Sequence, residues 1–199
     1  MKRPEIVIID YSIGNKYSLL NALYKAGGNP KLSLNPREII NADEIVLPGV
    51  GSFGYAIKLV RRLERYLLEA VESKPVLGIC LGMQLLFESS TEGGFNKGLG
   101  LLRGKVDIIK NAPKLPHMGW SYTKPISSCE LIDGITAYFY YAHSYMAYAE
   151  EDIVKMETEY GIKIPSFICK KNIYGSQFHP EKSSKAGLEI LRRFVSLAI

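Results

Sequence analysis

The 199-residue sequence predicts a three-layer α/β fold: a mostly parallel central sheet, helices on both faces, and an antiparallel extension. Short apolar runs rich in β-branched residues alternate with segments of helical periodicity, a pattern typical of parallel sheets covered on both faces. After Ser89 the segments become short and aromatic and are separated by hairpin turns, which predicts antiparallel strands that extend the same sheet.

The first half of the chain predicts four strand–helix units. The predicted strands are residues 5–10, 32–34, 44–49 and 75–79, and the predicted helices are residues 15–26, 36–41, 55–72 and 81–88. Each strand is an apolar run, and each helix has an apolar stripe or residues of high helix propensity. Glycines end the first helix, at Gly27 and Gly28.

The second half predicts five further strands and a last helix. The strands are residues 105–109, 137–141, 154–159, 166–170 and 173–177. Tyr160-Gly161 and Lys171-Asn172 predict hairpin turns. Ser183 or Ser184 caps the last helix. We find no linker or repeat, and therefore expect one domain over residues 1–199.

The composition excludes disorder and gives weak support to a nucleic-acid partner. Hydrophobic residues are 47% and charged residues 23%, and the net charge is +5. One basic cluster has helical spacing and lacks interleaved aromatic residues, so a solvated helix face is the favoured interpretation and an anionic partner the alternative. Its members are Lys58, Arg61, Arg62 and Arg65. The longest apolar stretch, residues 76–87, is too short to span a bilayer, so no membrane association is expected.

The cysteines indicate a reducing compartment. Cys80, Cys129 and Cys169 are odd in number and distant in sequence, with no CxxC motif. This pattern predicts neither a disulfide framework nor a metal site. We expect a cytoplasmic protein.

One cysteine lies in a motif that carries chemistry. Gly78-x-Cys80-x-Gly82 falls between a predicted strand and a predicted helix, the arrangement of a nucleophile elbow with Cys in place of Ser. A helix amino terminus stabilises a thiolate there through its unpaired N–H groups. The alternative is an ordinary buried cysteine at the end of a strand.

A nucleophile needs a base and a group that orients the base. The FHPEK segment offers His179 and Glu181 at the end of a predicted strand. His117 and His143 remain alternatives, because spacing alone does not distinguish the three histidines.

The PGVGSFG segment, residues 48–54, supplies backbone N–H groups near the same sheet edge. It lacks the lysine of a phosphate-binding loop, so nucleotide binding is not indicated. The N–H of Gly51 or a neighbour, with that of Leu81, would form an oxyanion hole. The alternative is an ordinary strand-to-helix turn.

Together, PGVG, GICLGMQ and QFHPEKS resemble the class I, triad-type glutamine amidotransferases. The resemblance implies Cys80 as nucleophile, His179 as acid and base, and Glu181 as the carboxylate that orients it. It further implies Gly51 and Leu81 as oxyanion donors. Residues implied to bind glutamine are Gly49, Gln84, Ser144 and Tyr145.

A closer resemblance, over the whole chain, is to the glutaminase subunits of imidazole glycerol phosphate synthases. DYSIGN, GLGLLRGKV, PHMGW and YYAHSY carry it, and PHMGW distinguishes this group from amidotransferases of other pathways. Ser12, Arg103 and Ser121 depart from the usual pattern without touching the triad.

That resemblance implies a heterodimer in histidine biosynthesis. Glutamine is hydrolysed to glutamate, and the ammonia passes to a TIM-barrel synthase subunit that makes imidazole glycerol phosphate and aminoimidazole carboxamide ribonucleotide. No cofactor is implied. Residues implied to contact the partner are Asn15, Met118, Trp120, Tyr140 and Lys182. The alternatives are a glutaminase subunit of another pathway, a redox or protease-like protein with a cysteine elbow, and a nucleic-acid-binding domain.

Overall fold

A computed structural model describes residues 2–11 and 16–198, which form two β-sheets and six α-helices. The strands are β1 (Glu5–Ile9), β2 (Asn29–Ser33), β3 (Glu44–Leu47), β4 (Val76–Ile79), β5 (Phe87–Ser90), β6 (Asn96–Lys97), β7 (Leu102–Ile108), β8 (His117–Pro125), β9 (Ala137–His143), β10 (Tyr145–Ala149), β11 (Val154–Glu159), β12 (Lys163–Lys170) and β13 (Ile173–Ser176). The helices are α1 (Tyr17–Ala26), α2 (Pro36–Asn41), α3 (Phe53–Val60), α4 (Glu64–Ala70), α5 (Leu81–Leu85) and α6 (Ser184–Val195). Short 3-10 helices are Arg61–Leu63, Pro180–Lys182 and Ser196–Ala198.

The larger sheet joins a parallel half to an antiparallel half. Its order is β2-β1-β3-β4-β13-β12-β11-β8-β9. Neighbours from β2 to β13 are parallel, and neighbours from β13 to β9 are antiparallel. The second sheet has the order β10-β7-β5-β6. The predicted α/β class, with a parallel sheet and an antiparallel extension, is confirmed.

The parallel half has a hydrophobic core on each face. Val7 and Ile9 point to the side of α3 and α4, whereas Ile6 and Ile8 point to the side of α1 and α6. This follows from the period of two along a strand, and it explains why these strands read as continuous apolar runs. None of the helices among the described residues has the length and apolarity to cross a membrane.

The parallel half also contains a buried carboxylate. Glu44 begins β3 and is fully buried, and neither of its carboxylate oxygens has a hydrogen-bond partner among the described residues. Burial, with a smaller contribution from the charge of Asp43, raises the pKa of Glu44 to about 8.

Two predicted helices end differently from expectation. The predicted helix at residues 55–72 is divided into α3 and α4 by the 3-10 turn Arg61–Leu63, where the Arg61 guanidinium donates a hydrogen bond to the carbonyl oxygen of Lys97 at 2.8 Å. The tighter turn keeps Leu63 in line with Val60 in the core, because residues three apart eclipse in a 3-10 helix. The predicted helix at residues 81–88 stops at Leu85, since Phe87 begins β5.

The strands after α5 depart from the prediction. Strands β5, β6, β8 and β10 are not predicted, and the strand predicted at residues 105–109 belongs to the second sheet, as β7, instead of extending the first. The hairpin turns at Tyr160-Gly161 and Lys171-Asn172 are confirmed, with φ of +70° at Gly161 and +53° at Lys171.

Candidate active site

Cys80 lies in a strained turn between β4 and α5. Its φ is +47° and its ψ −105°, an unusual conformation for a residue with a side chain. A Cβ on Gly82 would lie 1.9 Å from the carbonyl oxygen of Leu47, and a Cβ on Gly78 would lie 2.6 Å from the backbone of Met83. Only glycine fits on either side of Cys80, because the turn brings α5 against the ends of the strands.

His179 and Glu181 lie beside Cys80. The His179 Nδ1 and the Glu181 Oε1 are 2.9 Å apart, and both side chains are buried. A Cβ on Gly49 would lie 2.9 Å from the Cys80 Cβ and 3.0 Å from the His179 Cε1, so the two side chains approach the same point. Burial acts to lower the pKa of His179, but the Cys80 sulfur and the Glu181 carboxylate outweigh it and raise the pKa to about 10.

Strand β9 holds the backbone of His179 in place. The His179 N–H donates to the Tyr140 carbonyl oxygen at 2.9 Å, and the Ser183 hydroxyl donates to the His179 carbonyl oxygen at 2.6 Å. Ser183 also accepts from the Tyr140 N–H at 3.0 Å. Ser183 occupies the N-cap position of α6 as predicted, but its side chain forms no hydrogen bond that caps that helix. It fixes the histidine instead.

Cys80 lines a cavity of about 260 Å³. Among its lining residues are all four that the family resemblance implies as glutamine-binding, namely Gly49, Gln84, Ser144 and Tyr145. Gly51 and Leu81 also line it, as expected for oxyanion donors. Leu81 is the first residue of α5, so its N–H has no acceptor within the helix, and Gly51 has a φ of +108° that favours glycine.

The structure adds two residues that sequence reasoning missed. Glu92 lines the cavity, and its Oε2 accepts from the Phe53 N–H at 3.2 Å. Burial raises its pKa, an effect that this hydrogen bond partly offsets. Gln177 is fully buried, and its Nε2 lies 3.5 Å from the Cys80 sulfur. Gln177 stands in the QFHPE string and could have been found there, whereas the glycine-rich loop around Glu92 gives no such signal.

The residues predicted to contact a partner lie mainly on the outer face of the β8–β9 hairpin. Trp120 and Tyr140 are cross-strand neighbours with ring centroids 6.1 Å apart, and the Lys182 ammonium lies 5.8 Å from the Tyr140 ring centroid. Met118 is 63% exposed and also borders the cavity. Asn15 lies outside the described residues.

The other two cysteines are distant in sequence but close in space. The Cys129 and Cys169 sulfurs and a carboxylate oxygen of Glu130 lie within 4.8 Å of one another. Glu130 accepts a hydrogen bond of 2.5 Å from the Tyr174 hydroxyl. The cluster does not border the cavity next to Cys80.

Comparison with known proteins identifies the family. The model of the family "Glutamine amidotransferase class-I" matches residues 7–197. The imidazole glycerol phosphate synthase subunit HisH of Methanocaldococcus jannaschii is 45% identical in an alignment of 195 positions that covers 96% of this chain and 99% of that protein. The chain belongs to the class-I glutamine amidotransferases and, within them, to the HisH family.

Other HisH proteins are equally similar. That of Listeria innocua is 47% identical, covering 95% of this chain and 94% of the relative. That of Sulfolobus acidocaldarius is 46% identical, covering 93% and 94%. The match over nearly the whole length supports the resemblance predicted from PHMGW and the neighbouring strings.

Solved structures with low sequence identity share the amidotransferase fold. The structure of a putative GMP synthase protein from Thermoplasma acidophilum has a TM-score of 0.78 at 18% identity, covering 100% of this chain and 95% of that one. A second structure, described as a glutamine amidotransferase, has a TM-score of 0.77 at 19% identity, covering 97% and 98%.

Proposed function

We propose that this HisH-family chain is the glutaminase component of an imidazole glycerol phosphate synthase and acts in histidine biosynthesis. The observation that carries the proposal is the cysteine elbow, which faces a cavity and lies beside the His179–Glu181 pair. In this proposal residues 1–199 are a single glutamine amidotransferase domain, and the protein is cytoplasmic.

Cys80, His179 and Glu181 act as a triad. The Cys80 sulfur attacks the amide carbon of the glutamine side chain, and His179 gives a proton to the departing nitrogen, so that the C–N bond breaks and a thioester remains. His179 then takes a proton from water, whose oxygen attacks the thioester carbon and breaks the C–S bond. Glu181 accepts a hydrogen bond from the His179 Nδ1–H. The His179 Nε2 is therefore the nitrogen that gives and takes the protons in these steps.

Each tetrahedral intermediate carries negative charge on the former carbonyl oxygen. Gly51 and Leu81, the first residue of α5, line the same cavity as Cys80, so their N–H groups are our proposed oxyanion donors. One such donor typically contributes about 3 to 4 kcal/mol to the transition state.

The cavity has groups that suit both ends of glutamine. Gly49, Gln84, Ser144 and Tyr145 are the proposed binding residues, and each lines the cavity. We add Glu92, because its carboxylate is the acidic side chain among the lining residues and complements the α-ammonium group of the amino acid.

The exposed aromatic residues of the β8–β9 hairpin suit a protein partner. The proposed partner is a TIM-barrel synthase subunit that forms a heterodimer with this chain and consumes its ammonia. Met118, Trp120, Tyr140 and Lys182 are the proposed contacts within the described residues, and Asn15 is a further candidate outside them. Aromatic and methionine side chains are enriched in such interfaces.

Glutamine hydrolysis, measured with and without a synthase barrel, tests the proposal. We expect glutamate release by the complex, together with synthesis of imidazole glycerol phosphate at the expense of glutamine. Glutamate release that supports only the synthase of another pathway would reassign the partner. Reaction of Cys80 with oxidants or peptides but not with glutamine would favour the redox or protease-like alternative.

A further inference from the structure

Two buried histidines take no part in the proposed chemistry, although one of them, His143, lines the active-site cavity. His117 on β8 and His143 on β9 are cross-strand partners, only 1% and 6% exposed. The His117 Nδ1 and the His143 Nε2 are 3.0 Å apart. The outer ring nitrogens are also occupied, since the His117 Nε2 lies 2.7 Å from the Ser121 hydroxyl and the His143 Nδ1 lies 2.8 Å from the Tyr145 carbonyl oxygen.

Both rings are neutral near pH 7. His117 is stacked between Tyr141 and Tyr160, with ring centroids at 4.6 and 4.0 Å. Burial lowers the pKa of His117 to about 4. Burial, together with the charges of His117 and His179, lowers the pKa of His143 to about 3, although the bond to Tyr145 opposes this shift.

The hydrogen bonds fix the position of every proton in this pair. A carbonyl oxygen only accepts, so the His143 Nδ1 carries the proton and donates to Tyr145. The His143 Nε2 is then an acceptor, and the His117 Nδ1 must donate to it. The His117 Nε2 is left to accept from the Ser121 hydroxyl. All three bonds therefore donate in one direction, from Ser121 towards Tyr145.

The same Tyr145 carbonyl oxygen leads to the nucleophile. It also accepts from the Gln84 Nε2 at 2.9 Å, and that nitrogen lies 3.1 Å from the Gln177 Oε1. The Gln177 Nε2 in turn donates to the Cys80 sulfur at 3.5 Å. Both glutamines are buried, so water cannot supply hydrogen bonds to their amide groups. Losing one of these bonds would therefore leave a buried polar group without a partner.

We propose that His117 and His143 are positioning residues of the glutaminase site: the pair fixes the Tyr145 carbonyl oxygen, and through it Gln84, in the geometry that binds glutamine. This inference rests on the proposed function. It assigns the inner face of β8 to the active site, while Met118 and Trp120, on the outer face of the same strand, are the proposed partner contacts.

Nitrogen-15 NMR of the histidine side chains at neutral pH tests the geometry without any assay. We expect a protonated Nδ1 and an unprotonated Nε2 on both His117 and His143, and the matching pattern of proton couplings. The opposite tautomer on either ring would overturn the proposal, whatever the protein catalyses.

Two matched substitutions test the effect on the reaction. In His143→Asn the side-chain nitrogen can replace Nδ1 and keep the bond to Tyr145, but the bond to His117 is lost. In His143→Gln the side-chain oxygen can take the place of Nε2 and accept from His117, but no donor remains at the position of Nδ1 for the Tyr145 carbonyl oxygen. We expect KM for glutamine to rise roughly tenfold in the Gln variant and to stay within about twofold in the Asn variant, with kcat changed little in both.

Stability serves as the control, because each variant loses one buried hydrogen bond and both should lower the melting temperature by similar amounts. Equal KM values in the two variants would reduce the pair to a structural role and overturn the inference. Failure of the proposed function looks different, since the wild-type chain would then lack a glutaminase activity that depends on Cys80. If neither variant folds, the NMR result decides.

Discussion

The three histidines of this chain lie in two regions that shift the histidine pKa in opposite directions. At the end of the parallel strands, His179 lies between the Cys80 sulfur and the Glu181 carboxylate, and its pKa rises to about 10. In the antiparallel hairpin, His117 and His143 contact aromatic rings, each other and uncharged polar groups, and their pKa values fall to about 4 and 3.

The difference lies in the neighbours and not in burial, since all three rings are buried. Two adjacent groups that can carry negative charge favour the protonated form of His179, whereas the hairpin supplies only dipoles, which favour neutral rings. The parallel half is therefore where we expect protons to move, and the hairpin is where we expect side chains to be held still.

The largest effect is expected from removing the nucleophile. Cys80→Ala should lower kcat for glutamine hydrolysis by about a thousandfold or more, because no thioester can form. Synthesis from free ammonia by the complex should continue. Cys129→Ala and Cys169→Ala are the controls and should retain glutaminase activity, since neither residue borders the cavity. Turnover by Cys80→Ala would contradict the proposed triad.

The second-largest effect is expected from removing the negative charge beside His179. Glu181→Gln keeps the size of the side chain but removes the charge beside the His179 Nδ1, so His179 loses its orientation and part of its basicity. We expect kcat to fall at least roughly a hundredfold, with KM little changed. Steady-state kinetics at several pH values would measure this. An unchanged rate would show that Glu181 has no part in proton transfer.

The third prediction is that acid pH lowers the stability of the fold through the neutral pair His117 and His143. An unfolded histidine has a pKa of about 6.5, so below that pH the unfolded chain takes up protons that the folded rings of His117 and His143 refuse. Their stabilisation is complete above about pH 6.5 and is lost as the pH falls towards the folded values of about 4 and 3.

For His143 this loss amounts to about 3 kcal/mol by about pH 4.5, measurable by urea unfolding across a pH series. His143→Gln should reduce the loss of stability at acid pH, and the part that His117 contributes should remain. His179→Asn is the matched control and should leave that loss unchanged, because the pKa of His179 is shifted the other way. An identical acid limb in wild type and His143→Gln would mean that the hairpin does not hold a neutral ring.

The smallest effect separates the outer face of the hairpin from its inner face. Trp120→Ala should weaken binding to the synthase barrel by about 2 kcal/mol, or roughly thirtyfold in Kd, while basal glutaminase activity stays unchanged. Tyr24→Ala, which alters an equally exposed aromatic residue on α1, is the control. Titration calorimetry would measure the affinity of each variant for the synthase barrel. Equal affinities for the two variants would show that the interface does not include Trp120.

The sequence was most informative where backbone geometry demands particular residues. Gly78 and Gly82 predicted the elbow because any side chain there would collide with Met83 or Leu47. Buried strands such as β1 and β3 were equally clear, since strands covered on both faces are continuously apolar. Strand β8 was missed, because its alternation of inward His117 with outward Met118 and Trp120 mixes polar and aromatic residues on both faces.

The choice among the histidines could not be made from spacing, since it depends on which residues the fold brings beside each ring. His179 and His143 each contact a group two residues further along the chain, the Glu181 carboxylate and the Tyr145 carbonyl oxygen. Which of the two rings lies beside Cys80 is not a local property of the sequence. Long-range pairing of β8 with β9, and of β4 with β13, decides it.

Glu44, the unpaired carboxylate at the start of β3, acts on the protein from the alkaline side. Because its folded pKa is raised to about 8, the fold favours the protonated form, and this advantage is lost as the pH rises from the ordinary glutamate value through about 8. The histidine pair lowers stability at acid pH, and Glu44 lowers it at alkaline pH. These groups together therefore favour a maximum of folding stability at mildly acidic pH. We therefore expect the chain to keep best, in storage and during purification, below neutral pH and well below its pI of about 9.0.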